Sequence, residues 1–238
     1  MCFILAYLVH IFAENFSIKK IQFIMTAKKS EKVETITLTT LCDKVNIFMA
    51  GSGAVTIDWG DGSKIEKRRL SKFKNDCIFG NCFDDGRYYY PTDNDRYTFR
   101  HNYSFSRTII ITGKNITYLN CVGNQLTDID VNNCSSLVYL DCSYNQLTSL
   151  DVSKNTRLVK LYCYRNELTR MAIDALFDTL HGYPAEEQKL VSVVDNPGQD
   201  DCNKSIAKDK GWSVGRCFHE VLSRSIFKNE QNNKTDNI

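Results

Sequence analysis

Three features are scarce in this sequence of 238 residues: proline, an excess of one charge, and long apolar runs. Only three prolines occur, which excludes a proline-rich linker. Thirty Lys and Arg residues against 28 Asp and Glu residues leave a formal net charge of +2, so the charge predicts neither a nucleic acid partner nor an anionic membrane partner. The hydrophobic share of 42% and the charged share of 24% exclude a disordered chain, a collagen and a coiled coil.

The main apolar run lies at the amino terminus, in residues 1–13. It is shorter than the about 20 residues that span a bilayer, so no integral membrane span is expected. Residues 1–32 are interpreted as a signal or anchor segment, as a mis-set start whose true first residue is Met25, or as a packed helix. The first interpretation predicts an extracytoplasmic protein, at the cell surface or secreted. The second predicts a cytoplasmic protein.

Metal-binding and catalytic patterns are missing as well. The ten cysteines include no C-x-x-C pair, which argues against a zinc ribbon or a redox centre of that type. The sequence has no G-x-x-x-x-G-K, no G-x-G-x-x-G that opens a helix and no H-E-x-x-H, and none of its four histidines stands beside a nucleophile motif. We therefore expect a protein that is not an enzyme and that needs no metal and no other cofactor.

The second half of the chain repeats at a step of 21 residues, in segments 116–136, 137–157 and 158–173. Three identical columns form a predicted structural ladder: Leu119, Leu140 and Leu161; Cys121, Cys142 and Cys163; Asn124, Asn145 and Asn166. A further apolar column holds Ile129, Leu150 and Met171. A short strand in each copy points Leu and Cys inward, and the Asn turns the chain and bonds its open backbone groups. After a step of 30 residues, Asn196 takes the place of the ladder asparagine.

The columns spell L-x-x-L-x-C-x-x-N-x-L, which resembles the leucine-rich repeat with Cys where Leu is commoner. The resemblance implies a short solenoid with a parallel β-sheet over residues 114–217. Helical spacing in residues 174–181 and 202–210, with a last strand in 211–214, predicts its C-terminal cap. Residues 218–238 form a polar tail. Parallel stacked thiols do not converge, so the cysteine column is expected to fill the core rather than bind metal or form disulfides.

Residues 33–113 lack this repeat and alternate polar with apolar residues in short segments, which predicts a small β-sandwich. The segment AVTIDWGDGS at 54–63 resembles the strand and turn of PKD-like domains. It predicts a buried Trp59 and positive φ angles at Gly60 and Gly62. Asp58 and Asp61 suggest either a calcium site or a turn stabilised by Asp61, and the lack of an EF-hand ligand series favours the turn.

The predicted fold class is therefore β-rich with some α: a small PKD-like β-sandwich followed by a short leucine-rich repeat solenoid with short helices near its C-terminal cap. This combination resembles bacterial surface proteins that join a PKD-like module to internalin-like repeats. If the protein is exported, two pairs are candidate disulfides: Cys202 with Cys217, and Cys77 with Cys82.

The candidate binding site follows from strand alternation, because residues between the inward Leu and Cys point outward onto the concave face. The outward positions are Tyr118, Asn120 and Val122 in the first copy, Tyr139, Asp141 and Ser143 in the second, and Lys160, Tyr162 and Tyr164 in the third. Tyrosine is common at interfaces and sugar-facing sites, although aromatic residues also favour strands in general. We hypothesise that Tyr139, Tyr162 and Tyr164 form one exposed patch that receives the partner.

A sandwich and a solenoid offer surfaces rather than a pocket, so the leading functional hypothesis is a non-catalytic protein-binding or adhesion module with a protein partner. Fold alone does not imply function, and two alternatives stay open. One is a carbohydrate-contacting accessory module of the cell surface, with a glycan partner. The other is an intracellular scaffold. A monomer is expected.

Overall fold

The computed structural model describes residues 32–42, 44–71 and 106–215, together with the backbone of 96–100. The strands are β1 (Glu34–Thr40), β2 (Lys44–Gly51), β3 (Gly53–Asp58), β4 (Glu66–Leu70), β5 (Arg96–Arg100), β6 (Arg107–Gly113), β7 (Ile116–Asn120), β8 (Leu126–Asp130), β9 (Tyr139–Asp141), β10 (Lys160–Tyr162), β11 (Lys189–Ser192) and β12 (Trp212–Val214). The helices are α1 (Arg170–Thr179) and α2 (Lys204–Asp209). The described chain is β-rich with few helices, as predicted.

Five strands form an antiparallel sheet in the order β4-β3-β6-β1-β8. Side chains of a strand alternate between its two faces, and one face here lies on the core. In β1, for example, Ile36 and Leu38 are fully buried, whereas Thr35 and Thr37 on the other face are only partly buried. The edge strands β4 and β8 were not predicted from the sequence.

The turn after β3 has the local features that its sequence predicted. Trp59 is a core residue, with 2% of its surface exposed. Gly60 and Gly62 have φ angles of 70° and 78°, which glycine adopts without steric cost. Asp61 Oδ1 accepts a hydrogen bond from the Ser63 N–H at 2.9 Å, so this carboxylate stabilises the turn.

The other seven strands form a mixed sheet in the order β12-β11-β10-β9-β7-β2-β5. The five repeat strands β7, β9, β10, β11 and β12 are parallel neighbours, but β2 pairs antiparallel with β7 and with β5. The expected parallel sheet is thus only part of a mixed sheet, because β2 bonds the edge that β7 would otherwise leave open. The parallel register aligns Leu119, Leu140, Leu161 and Val191, so equivalent side chains stack.

The first helix begins earlier than its predicted start at residue 174. Helix α1 starts at Arg170, and the Thr169 side chain caps it by accepting a hydrogen bond from the Ala172 N–H at 3.3 Å. The early start changes the environment of Met171, which was expected in an apolar column. It lies in the first turn of the helix and is 81% exposed, so that expectation was wrong.

The inward columns of the repeats and the inner residues of the five-stranded sheet share one hydrophobic core. Six ladder residues have no exposed surface: Leu119, Leu140, Leu161, Cys121, Cys142 and Cys163. The three cysteines are free thiols. Burial raises the pKa of each of these thiols, so they stay protonated and behave as small apolar groups.

The ladder asparagines connect successive repeats through their side-chain amides. Asn145 Oδ1 accepts hydrogen bonds from the N–H groups of Asn124 and Leu126, at 3.0 and 2.9 Å. Its Nδ2 donates to the carbonyls of Cys121 and Cys142, at 3.0 and 2.9 Å. One side chain therefore satisfies backbone groups of its own repeat and of the preceding one, at a turn where the backbone has no regular partners.

The same pattern continues along the stack. The amide oxygens of Asn166 and Asn196 accept from the N–H groups of Leu147 and Leu168, both at 3.0 Å. Both side chains donate back to carbonyls of the cysteine positions. All four ladder asparagines are buried. A backbone donor or acceptor that lost its hydrogen bond to one of these amides would therefore lower the free energy of unfolding.

Strand β2 takes the place of a preceding repeat at the start of this ladder. Asn124 Nδ2 donates to the Asn46 carbonyl, and the Asn46 N–H donates to Asn124 Oδ1, both at 2.7 Å. A second connection comes from β1, where the buried Glu34 carboxylate accepts from the N–H groups of Ile116 and Ser136, both at 2.8 Å. The described residues from Glu34 onwards belong to one compact unit. The domain boundary between residues 113 and 114 stays a prediction.

We expect Asn145→Ala to lower the free energy of unfolding by about 3–5 kcal/mol, because it removes the partner of two buried N–H donors, those of Asn124 and Leu126, and of the buried Cys121 carbonyl. The Cys142 carbonyl keeps its bond from Asn166. Urea unfolding followed by circular dichroism measures the change. The matched control is Asn133→Ala, at an exposed position of the preceding repeat, with an expected change within about 0.5 kcal/mol. Equal effects of the two variants would contradict the role of the amide.

We also expect the thiols of Cys121, Cys142 and Cys163 to react with a maleimide only as fast as the protein unfolds, because burial keeps them protonated and inaccessible. Cys142→Ser should destabilise the protein by about 1–3 kcal/mol, since it places a hydroxyl in an apolar column. Mass spectrometry of the labelled native protein locates the modified residues. Rapid native labelling of these three thiols would show that they are not core groups.

Candidate functional site

The candidate site is the outward face of β7, β9 and β10, where the register places the predicted residues in columns across the strands. The first column is Tyr118, Tyr139 and Lys160, the second is Asn120, Asp141 and Tyr162, and the third is Val122, Ser143 and Tyr164. These residues differ in exposure. Tyr118, Asp141, Ser143 and Tyr164 are buried, and the other five are half-buried.

Three tyrosine rings contact one another in sequence across these strands, and we call Tyr118, Tyr139 and Tyr162 the tyrosine row. The rings of Tyr118 and Tyr139 stack with their centroids 4.5 Å apart. The rings of Tyr139 and Tyr162 meet edge to face at 5.3 Å. Such pairs contribute about 0.5–1.5 kcal/mol each beyond their buried area, so the row is preorganised. Tyr139 and Tyr162 are its half-buried, accessible members, and the buried Tyr118 supports the Tyr139 ring.

Tyr164 does not belong to this surface. Only 1% of it is exposed, and its ring packs edge to face against Tyr144 with centroids 5.3 Å apart. The expectation that Tyr164 is exposed together with Tyr139 and Tyr162 was therefore wrong. The alternation of side chains along the strand predicted that Tyr164 points away from the core of the repeats. It did not predict that the Tyr144 ring, in the neighbouring turn, packs against Tyr164.

The turns beside this face hold a second set of contacts that sequence reasoning missed. Tyr144, Arg165 and Asp195 each precede a ladder asparagine and have left-handed φ angles of 56°, 54° and 57°. The Arg165 guanidinium lies over the Tyr144 ring at 4.8 Å, and its Nε bonds Asp195 Oδ2 at 3.0 Å. The left-handed backbone costs about 1–2 kcal/mol per residue, which these contacts and the ladder asparagines offset.

The charged groups of the face lie at different depths. Asp141 is 5% exposed, and its Oδ1 accepts from the Ser143 N–H at 3.1 Å. Burial raises the pKa of Asp141 to about 6. Burial and then the Asp141 carboxylate raise the pKa of the Tyr118 phenol. The Lys160 ammonium donates to the Gln188 carbonyl at 2.8 Å, and burial lowers its pKa.

The described residues contain no cluster of three or more side chains suited to a metal ion. A hollow of about 450 Å³ lies at the C-terminal end of the fold, lined by 182–189 and 209–211. Its buried lysine, Lys189, donates to the carbonyls of His181, Tyr183 and Lys210 at 3.3, 2.9 and 2.6 Å. These bonds satisfy the ammonium, so Lys189 holds the end of the fold together rather than offering a charge to a ligand.

The candidate disulfides fall mostly beyond the residues that the structure describes. Cys202 is a buried free thiol, and its Sγ donates to the Gln199 carbonyl at 3.2 Å. Cys217, Cys77 and Cys82 lie outside the described residues. The two pairings of an exported protein therefore stay predictions.

Comparison with known proteins identifies part of the chain. A family model for leucine-rich repeats in two copies matches residues 114–155. The chain therefore contains leucine-rich repeats, a motif that commonly mediates protein–protein binding and generally serves as a non-catalytic scaffold. No curated protein and no solved structure matches the chain. Among the described residues, no helix has the length and apolar character needed to cross a membrane.

The burial of Asp141 predicts a pH dependence of stability. Its folded-state pKa of about 6 lies above the unfolded value of about 3.9, so the folded protein binds more protons between these pH values. The contribution of Asp141 to the free energy of unfolding is therefore fully present below about pH 4 and is lost as the pH rises through about 6. We expect Asp141→Asn to remove this loss of stability, because the amide does not titrate.

Urea unfolding of the parent protein and of the Asp141→Asn variant, at several pH values between 3.5 and 7.5, measures this pH dependence of stability. The free energy difference between variant and parent should move in favour of the variant as the pH rises. The matched control is Asp200→Asn, which replaces an exposed carboxylate in the same way and is compared with the parent over the same pH range. A pH-independent difference for Asp141→Asn would mean that its carboxylate is solvated.

Proposed function

We propose that this protein is a non-catalytic binding module whose tyrosine row contacts a partner protein. The observation that carries the proposal is the mutual contact of Tyr118, Tyr139 and Tyr162 on the outward side of the repeat strands. Tyrosine offers a large, rigid contact area with a hydrogen-bonding end, and it is enriched among residues that dominate binding energy. The leucine-rich repeats at residues 114–155 support a protein partner.

The row is suited to this role because its rings are held before a partner arrives. Short parallel strands fix the Cα positions, and ring–ring contacts restrict the side chains. A preorganised surface loses less conformational entropy on binding. Lys160 and Asn120, both half-buried, add polar groups beside the rings, which suits a contact with hydrogen bonds at its rim.

We further propose that the protein acts at the cell surface or after secretion, as an adhesion protein that joins a PKD-like sandwich to an internalin-like solenoid. Trp59 in the core and the left-handed glycines beside it support the PKD-like part. The apolar residues 1–13 support export as a signal or anchor segment. Sequencing the amino terminus of the mature protein tests this proposal, since a chain beginning at Met25 with all thiols reduced would favour an intracellular scaffold.

The binding proposal is tested with single alanine variants against a captured protein partner. Tyr139→Ala and Tyr162→Ala should each weaken its affinity by about 30-fold, the effect of removing about 2 kcal/mol of contact energy. Tyr183→Ala is the matched control, because this tyrosine is 61% exposed and its ring stacks on His181, which is not part of the row. Its affinity should stay within about twofold of the parent protein, and circular dichroism confirms that each variant is folded.

Two results would contradict the proposal. One is a double variant, Tyr139→Ala with Tyr162→Ala, that is folded and binds the partner with unchanged affinity. The other is binding to immobilised glycans, lost in the same variants, with no protein captured. The second result would favour the carbohydrate-contacting module.

A further inference from the structure

The face of the five-stranded sheet that points away from the core has a regular polar and apolar pattern. We call it the outer face and define it by alternate residues of its strands. They are Lys67 and Arg69 on β4; Ala54, Thr56 and Asp58 on β3; Thr108, Ile110 and Thr112 on β6; Thr35, Thr37 and Thr39 on β1; and Asp128 and Asp130 on β8. The outer face is rich in threonine, and its side chains are exposed or partly exposed on all five strands.

Apolar residues are also exposed on this face. Ile110, on the central strand β6, is 40% exposed. Ile65 directly precedes β4 at a position that continues the outward alternation, and it is 50% exposed. Three of the six large hydrophobic residues that are exposed in the described chain lie on or beside this sheet: Leu41, Ile65 and Ile110. An exposed apolar centre with polar surroundings is the pattern of an interface.

The two edges of the outer face carry opposite charges. Lys67 and Arg69 are exposed on β4, and Asp128 and Asp130 are exposed on β8. Four strand spacings of about 4.8 Å separate the edges by about 19 Å. A third carboxylate, Asp58, lies between them and accepts from the Gly60 N–H at 2.9 Å. The face is therefore basic along one edge and acidic along the other, with Ile110 between them.

We infer that a second copy of this chain packs on the outer face, with a twofold axis close to the strand direction. Such an axis places the basic edge of each copy opposite the acidic edge of the other and brings the two Ile110 side chains together. A twofold axis across the strands would instead place Lys67 and Arg69 of both copies against each other. The charge pattern is complementary to itself in the first arrangement only. The inferred dimer differs from the monomer expected from the sequence.

The arrangement has a functional consequence that rests on the proposed function. The outer face and the tyrosine row belong to opposite sides of the common core, because each lies on the face of its sheet that points away from it. A dimer through the outer face therefore presents two tyrosine rows in opposite directions. A protein with two such rows links two partners, or binds a multivalent surface with increased avidity.

The test is sedimentation equilibrium of the full chain with charge-reversed variants. The parent protein should sediment at twice the mass of the chain at the higher concentrations. One variant, K67E with R69E, makes both edges acidic, and another, D128K with D130K, makes both edges basic. Each should dimerise at least tenfold more weakly than the parent. An equimolar mixture should dimerise as the parent does, because each basic edge then meets an acidic one.

Controls separate this arrangement from general charge effects. K154E with R157E reverses two exposed charges in the turn of the second repeat and should dimerise like the parent. Ile110→Lys, which places a charge at the centre of the face, should give a folded monomer. A parent protein that stays monomeric at all concentrations would overturn the inference. So would folded charge variants that dimerise as the parent does, or whose mixture stays monomeric. None of these measurements uses a partner protein, so they are independent of binding by the tyrosine row.

Discussion

The buried asparagine amide is the interaction on which the rest of the structure depends. In each repeat it bonds the backbone of two successive turns, where no regular strand or helix pairs those groups. The Asn155 side chain also connects two successive repeats. Its Nδ2 donates to the Val131 and Cys134 carbonyls of the preceding repeat, at 2.9 and 2.8 Å. These amides fix the spacing of the strands, and the Leu and Cys columns stack because that spacing is constant.

The first half of the chain supplies the hydrogen-bond partners at the start of the asparagine ladder. The backbone of Asn46 offers Asn124 the donor and acceptor that a preceding repeat would offer, and Glu34 bonds two further N–H groups. The strand edge of β7 is thereby paired instead of left open to other chains. The tyrosine row depends on the same register, because Tyr118 and Tyr139 stack only if β7 and β9 are aligned.

The sequence predicts side chains that recur and misses contacts made by the backbone. The columns of Leu140, Cys142 and Asn145 are visible because the same place must be filled in every repeat. The role of Asn46 has no such signal, because its contribution is made by backbone groups. Strand β4 has the sequence EKRRL, without apolar alternation, and β8 pairs with the distant β1. Alternation predicts where Tyr164 points, but its burial depends on Tyr144 in a left-handed turn.

Native-state hydrogen exchange of the whole chain tests most directly whether the ladder joins both halves into one cooperative unit. The amides of Leu126, Leu147 and Leu168 donate to ladder asparagines, and the amide of Asn46 donates to the first of them. All four should exchange with one free energy of opening, equal to that of global unfolding. If Leu147 and Leu168 keep their protection at denaturant concentrations where Asn46 has lost its own, the repeats are stable without the first half and the account is contradicted.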